Sequence, residues 1–235
     1  MELAQEFFEL FKGSDIAHGT FIVNTNRPGD GKKQGTAKVI KEPTTVDMWK
    51  EHLTGGTGIG IIPIRSDNHC QWGAIDIDKY DIDHKELCDI LHKNKIPAVV
   101  GRTKSGGAHV WVFLTESIEA IDMQRKMTEL SAALGHSGCE IFPKQSTILV
   151  ERGDTGNFLN MPYHGDDKTT RYAFDEKGIT MSTTAFIEYA KRHRITPKDF
   201  MKLKFNFGVK EGVLEEGPPC LQDLVKVRGT MPCST

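Results

Sequence analysis

Asp76 and Asp78 close an apolar run, Gly73-Ala74-Ile75-Asp76-Ile77-Asp78, and this spacing is the strongest chemical signal in the chain. Strand side chains alternate faces at roughly 3.3 Å per residue, so Ala74, Asp76 and Asp78 share one face while Ile75 and Ile77 turn to the core. The two carboxylates are then held about 6–7 Å apart at the backbone. Like charges this close raise their own pKa values unless a cation or donors lie between them. A divalent ion is the simplest partner, and hard oxygen ligands select Mg2+ or Mn2+, ions whose usual work is holding phosphates.

A second signal is Arg102-Thr103-Lys104-Ser105-Gly106-Gly107-Ala108-His109-Val110-Trp111, a basic, glycine-bearing turn between two apolar strands. Glycines let backbone N–H groups face outward, Ser105 adds a hydroxyl, and Arg102, Lys104 and His109 add donors, a set that suits a polyphosphate. The spacing is not that of a Walker loop. Alternation along the second strand buries Val110, Val112 and Leu114 and leaves His109, Trp111 and Phe113 on the other face, where His109 is expected to meet a phosphate or a metal. A third signal is Glu140-Ile141-Phe142-Pro143-Lys144-Gln145, followed by Gly156-Asn157. Glu140 opens a short strand expected beside the Asp76 strand, where it supplies the third carboxylate of a two-metal site. Lys144 and Gln145 are candidates to reach a triphosphate and Asn157 to read a sugar or base; the competing role for each is to satisfy a turn backbone.

These residues need elements to hold them. Apolar spacing of three and four predicts a helix over residues 2–12, stopped by Gly13. Thr44 and Asp47 mark a helix start, with its end near Gly55-Gly56. Strands follow at 59–65 and 71–78, then a helix from Asp83 to Lys93, strands at 97–102 and 108–114, and a helix over 118–134 ended by Gly135. Short strands fit 139–142, 147–151, 158–161 and 171–174, and Thr184 caps a last helix to His193. Residues 26–33 read as a loop or hairpin tip, and Glu215-Glu216-Gly217-Pro218-Pro219 as a linker or domain edge. The order between residues 71 and 142 is that of a split βαβ sheet, which predicts an α+β fold with an RNA-recognition-motif-like palm.

Composition sets outer bounds. At 235 residues, 38% hydrophobic and 26% charged, the chain reads as an ordinary globular protein of one large domain or two lobes. No run of 18 apolar residues suggests a membrane span. The start, Met1-Glu2-Leu3-Ala4-Gln5-Glu6, lacks the basic opening of a signal peptide. Five scattered cysteines without a Cys-x-x-Cys pair argue against a zinc ribbon or disulfide framework and imply a reducing, cytoplasmic setting. Net charge is −2, yet Lys32, Lys33, Lys38 and Lys41 crowd one segment, and Lys191, Arg192, His193, Arg194 and Lys198 another. Either cluster is a solvated face or a local basic stripe.

The ordered set of motifs resembles the archaeo-eukaryotic primase superfamily. The resemblance lies in Ile75-Asp76-Ile77-Asp78, Ser105 through His109, and Glu140, with 31 residues separating Asp78 from His109 and His109 from Glu140. Adding Ile59-Gly60-Ile61-Ile62-Pro63-Ile64, Phe142-Pro143-Lys144-Gln145 and Gly156-Asn157, the chain is similar over about residues 5–190 to primase-like proteins of TOTE conflict systems and phage primase-polymerases. The resemblance implies a palm lobe at 59–200 packed on an N-terminal αβ lobe at 1–58, with 201–235 as an extension or linker to a helical or helicase region. It implies template-directed nucleotidyl transfer from dNTPs or NTPs, with Asp76, Asp78 and Glu140 holding two Mg2+ or Mn2+ ions. Lys104, Ser105, His109 and Lys144 would cradle the triphosphate. The clusters containing Lys32, Lys33, Lys38, Arg192 and Arg194 would contact a single-stranded DNA template and primer. Two rival readings remain: a metal-dependent nicking nuclease, and a non-catalytic single-strand binder of RNA-recognition type.

Overall fold

The structure is a computed structural model that describes residues 2–23 and 35–207. In chain order the elements are α1 (Glu2–Leu10), β1 (His18–Val23), β2 (Gly35–Ile40), α2 (Val46–Leu53), β3 (Ile59–Ile61), β4 (His69–Ile77), α3 (His84–Lys93), β5 (Ala98–Arg102), β6 (Ala108–Glu119), α4 (Ala120–Ala133), β7 (Glu140–Phe142), β8 (Leu159–Asn160), β9 (Ala173–Phe174), α5 (Thr183–Arg192) and α6 (Pro197–Lys202). Residues 2–205 form one compact unit. Among the described residues no helix is long and apolar enough to cross a membrane.

The strands form two sheets. One runs β2-β1-β3-β8, and the other β7-β4-β6-β5-β9. The second contains the expected split βαβ motif: β4, α3, β5, β6, α4 and β7 in sequence give four antiparallel strands in the order β7-β4-β6-β5. Helix starts follow side-chain capping, which satisfies otherwise orphan amides. Thr45 accepts from Met48 N–H at 3.3 Å, Asp83 from Glu86 N–H at 3.0 Å, and Ser182 from Ala185 N–H at 3.3 Å. The caps are thus Thr45, one residue after the expected Thr44, and Ser182, two residues before the expected Thr184.

Both faces of the five-stranded sheet are covered. On one, Gly73 lets Met123 and Met127 of α4 press on the backbone, since a Cβ there would fall 2.6 Å from Met123 Sδ. On the other, Trp72, Trp111 and Phe113 join Phe7, Phe11, Trp49, Tyr163 and Phe186 in an aromatic core. Phe11 is its hub, with ring centroids 5.2 Å from Phe113, 5.5 Å from Trp72 and 5.7 Å from Trp49. Alternation put Trp111 and Phe113 on the face of His109, and both are buried there. The α1 and α5 helices seal that face.

Other departures are local. Residues 147–151 form no strand; a 3-10 turn at Val150–Arg152 stands there. The strand expected at 59–65 ends at Ile61, and β6 runs on to Glu119. The short helix α6 was not anticipated. The loop expected at 26–33 lies outside the described residues, as do Lys32, Lys33 and the linker expected at 215–219.

His52 shows how tightly the two-sheet unit is closed. It is fully buried, with Nε2 2.8 Å from the Pro162 carbonyl and Nδ1 accepting from Ile59 N–H at 3.2 Å. Burial pushes its pKa down to about 4, against a partial upward pull from the Pro162 carbonyl. The unfolded chain takes up a proton here near pH 6.5 and the folded chain only near 4. Stability contributed by the neutral ring is therefore complete above pH 6.5 and is lost as pH falls toward 4, by up to about 3 kcal/mol. Thermal melts across pH 7 to 4 should show a decline in Tm that is shallower in His52→Gln, and equal slopes in the two proteins would contradict this assignment.

Candidate active site

Strand register builds the site. Gly101 of β5 faces His109 of β6, His109 faces Asp76 of β4, and Asp76 faces Glu140 of β7, so one row crosses four strands. Directly opposed side chains of such a row lie about 4.5–5.5 Å apart at Cβ. The next row inward on the same face is Val99, Trp111, Ala74 and Phe142, all buried. The polar row is thus the rim of the aromatic core. Gly101 has a steric reason to be glycine, because a Cβ there would sit 2.3 Å from Trp111 Cζ3.

His109 Nε2 lies 3.3 Å from Asp76 Oδ1. The pair lacks hydrogen-bond alignment, and Asp76 Oδ1 is a buried acceptor without a hydrogen-bond donor. His109 is only 8% exposed and packs edge-on against Trp111 at 5.3 Å. Asp78 follows just past the end of β4 and is exposed. Glu140 turns to Lys144, with Oε2 2.6 Å from Nζ. The expected gathering of Asp76, Asp78 and Glu140 is therefore incomplete: among the described residues no three Asp, Glu, His or Cys side chains are clustered to hold a metal ion. Lys144 has drawn the third carboxylate aside.

The glycine turn sits against Asp78. The Thr103 carbonyl accepts from Gly106 N–H at 3.1 Å, and Thr103 N–H donates to the Gly107 carbonyl at 2.9 Å. Gly106 adopts φ +101°, which favours glycine. A Cβ on Gly107 would fall 2.3 Å from the Ile77 carbonyl oxygen, and one on Gly106 3.5 Å from that of Tyr80. The turn thus packs on the residues flanking Asp78, leaving Lys104 and Ser105 exposed at its apex. One expectation is corrected, since the Gly106 amide is used inside the turn rather than presented outward.

Several candidates are engaged elsewhere. Arg102 donates to the Thr170 carbonyl at 3.0 Å. Gln145 and Asn157 bond to each other: the Gln145 amide donates to Asn157 Oδ1, and Asn157 N–H donates to Gln145 Oε1 at 3.1 Å. Arg194 donates to the Leu114 carbonyl at 2.9 Å, and Lys191 pairs with Glu6 at 2.9 Å. Lys38 and Arg192 are exposed.

Sequence reasoning missed three residues. His84 Nε2 donates to the Gly107 carbonyl at 3.0 Å and its ring packs on Phe174 at 4.9 Å, bracing the turn; its place at the start of α3 was the available signal. Tyr80, two residues past Asp78, is 73% exposed. Cys139, next to Glu140, has its thiol pKa raised first by burial; the Lys79 charge opposes this, and the charges of Asp76 and Asp78 add to it.

The family model of the TOTE conflict system archaeo-eukaryotic primase domain matches residues 23–197, and the chain belongs to this family. Among solved structures, the chain is similar to the archaeo-eukaryotic primase domain (PP-N190) of the cyanophage S-2L primase-polymerase. The two are 12% identical with a TM-score of 0.45, over 80% of this chain and 97% of that one. It is also similar to the primase RepB′, at 12% identity and TM-score 0.39 over 81% of this chain and 62% of that one. The RepB′ catalytic domain in complex with initiator DNA gives 12% identity and TM-score 0.38, over 81% and 93%. No curated protein matches the chain.

Gly107→Ala would push a methyl group into the Ile77 carbonyl and lift the turn from the Asp78 segment. The expected cost is about 2 kcal/mol, a fall in Tm of roughly 4–8 °C by calorimetry. An unchanged Tm would show that the turn is not held where described.

Proposed function

We propose that the chain is a template-directed primase-polymerase, which joins a dNTP or NTP to the 3′-hydroxyl of a primer or initiating nucleotide. The observation that carries this reading is the His109, Asp76 and Glu140 row, set at the rim of the core within the family-matched region. Membership of a primase family and a row of oxygen and imidazole groups beside a basic turn point to the same chemistry.

The family implies divalent ions, and the donor set suits them. Asp76 Oδ1 is a buried acceptor without a donor, a state that costs free energy and that a cation relieves. Mg2+ or Mn2+, when bound, supplies positive charge against the triphosphate and favours ionisation of the attacking hydroxyl. Asp76 and Asp78 would be its ligands, and Glu140 would join them by leaving Lys144. Lys144, so released, is within the same neighbourhood to meet a phosphate. His109 stands beside Asp76, with Nε2 3.3 Å from Oδ1, and would meet the bound nucleotide from that side of the row. Lys104 and Ser105, exposed on a turn packed against the Asp78 segment, suit the triphosphate tail. Arg102, Gln145 and Asn157 act chiefly by fixing the backbones around them. Lys38 and Arg192 remain candidates for the template backbone. The partners that follow are single-stranded DNA, a primer and a nucleoside triphosphate, with a helicase as a further candidate.

The two rival readings find less support. A binder of RNA-recognition type presents aromatic side chains on its central strands, whereas Trp111 and Phe113 are buried. A nicking nuclease of the kind considered needs a His-x-His pair, and His193 is followed by Arg194.

The test is nucleotide incorporation on a single-stranded template with labelled dATP or ATP and Mg2+ or Mn2+, with and without primer. Asp76→Ala and Asp78→Ala should each lower incorporation at least about 100-fold, with oligonucleotide binding retained. Synthesis at the wild-type rate by either variant would reject the site.

A further inference from the structure

We propose that Phe158 is a stacking platform for an unpaired base of the single-stranded DNA template. The inference rests on the primase-polymerase reading and locates a template contact on the four-stranded sheet, away from the acidic row.

Gly19 of β1 and Gly60 of β3 face each other across the sheet. A Cβ on Gly19 would fall 2.1 Å from Phe158 Cγ, and one on Gly60 would fall 2.2 Å from Phe158 Cδ2. The ring therefore lies directly on the backbone of two opposed glycines, a seat that any larger residue at either position would fill. Leu159 pairs with Ile61 and is buried in the core, so alternation sends Phe158 and Asn160 to the outward face. Phe158 is half-buried and takes no part in the aromatic core beneath the sheet. One ring face is thus spent on the glycines while the residue keeps access to solvent.

The surroundings suit a nucleic acid strand. Asn160 is exposed and stands in the same cross-strand row as Gly60, Gly19 and Val39, the last 37% exposed. Lys41 is exposed and its Nζ would lie 3.6 Å from a Cβ on Gly153, so it reaches toward the run that leads into Phe158. Proteins hold single strands without regard to sequence by stacking bases on aromatic rings and tracking the backbone with basic groups, and an aromatic ring on this face with Lys41 on the neighbouring β2 side supplies both kinds of group. The platform is also tied to the acidic row. Asn157, next to Phe158, is bonded to Gln145, next to Lys144, which pairs with Glu140.

A ring that merely plugs the glycine slot would be replaceable by another apolar side chain, and this separates the two roles. Binding of fluorescent oligo(dT) is measured by anisotropy for the wild type, Phe158→Leu and Phe158→Trp, with thermal melts as the folding control. Stacking is worth about 5- to 150-fold in affinity per base, so Phe158→Leu should weaken binding within that range while Phe158→Trp keeps it. A wild type that binds no oligonucleotide would bring down the primase-polymerase reading as well. A wild type that binds, with Phe158→Leu binding equally, would overturn the platform alone. Should Phe158→Leu fail to fold, irradiation of the wild type with iodouracil-substituted oligonucleotide decides the matter: a crosslink to the peptide containing Phe158 supports stacking, and crosslinks confined to other peptides refute it.

Discussion

The antiparallel register of β6, β4 and β7 is the constraint on which the site depends. Because side chains alternate with a period of two, a slip of one residue along β4 would turn Asp76 to the side packed by α4 and bring Ile75 or Ile77 to the rim. Burial forbids the slip: Trp72 and Ala74 share the face of Asp76 and lie in the aromatic core, and Ile75 and Ile77 fill the opposite face. The hydrophobic effect, which carries no chemical information, thereby sets the positions of the polar row. The apolar row of Val99, Trp111, Ala74 and Phe142 and the polar row of Gly101, His109, Asp76 and Glu140 are two consecutive steps of one pleat.

Electrostatics then divides the row into fixed and movable parts. Asp76 and His109 are confined between strands and next to Trp111, so neither has room to swing away. Glu140 is different, because its side chain is 56% exposed and its ion pair with Lys144 lies at the surface. Exposed pairs of this kind are worth about 0–1 kcal/mol. Exchanging Lys144 for a cation is therefore a small step in free energy, and it would present a lysine and a carboxylate to opposite parts of a metal-bound triphosphate. The glycine turn belongs to the fixed part, since His84 holds the Gly107 carbonyl and Gly107 packs on Ile77.

Much of this was legible in the sequence, and the reasons are specific. Asp76, His109 and Glu140 stood out because each is a polar interruption at the end of an apolar strand, and the split βαβ order brought those strands together. What covers Trp111 and Phe113 was not legible, because alternation says which residues share a face and nothing about what packs on it; the cover comes from α1 and α5, distant in sequence. Arg194 read as part of a basic cluster, yet its guanidinium holds the Leu114 carbonyl at the turn into α6, a bond visible only in three dimensions. Gln145 and Asn157 are polar residues near Pro and Gly, and they satisfied each other. The seat of Phe158 was hidden for the same reason, since Gly19 and Gly60 are opposed only through sheet pairing.

The central claim is that the acidic row grips divalent ions beneath a nucleoside triphosphate. Anomalous diffraction from crystals grown with Mn2+ and a non-hydrolysable triphosphate tests it most directly. The account expects manganese peaks bounded by Asp76 and Asp78, with Glu140 turned away from Lys144 and the phosphates under Lys104 and Ser105. Nucleotide bound with its metal anywhere other than on Asp76 would contradict it.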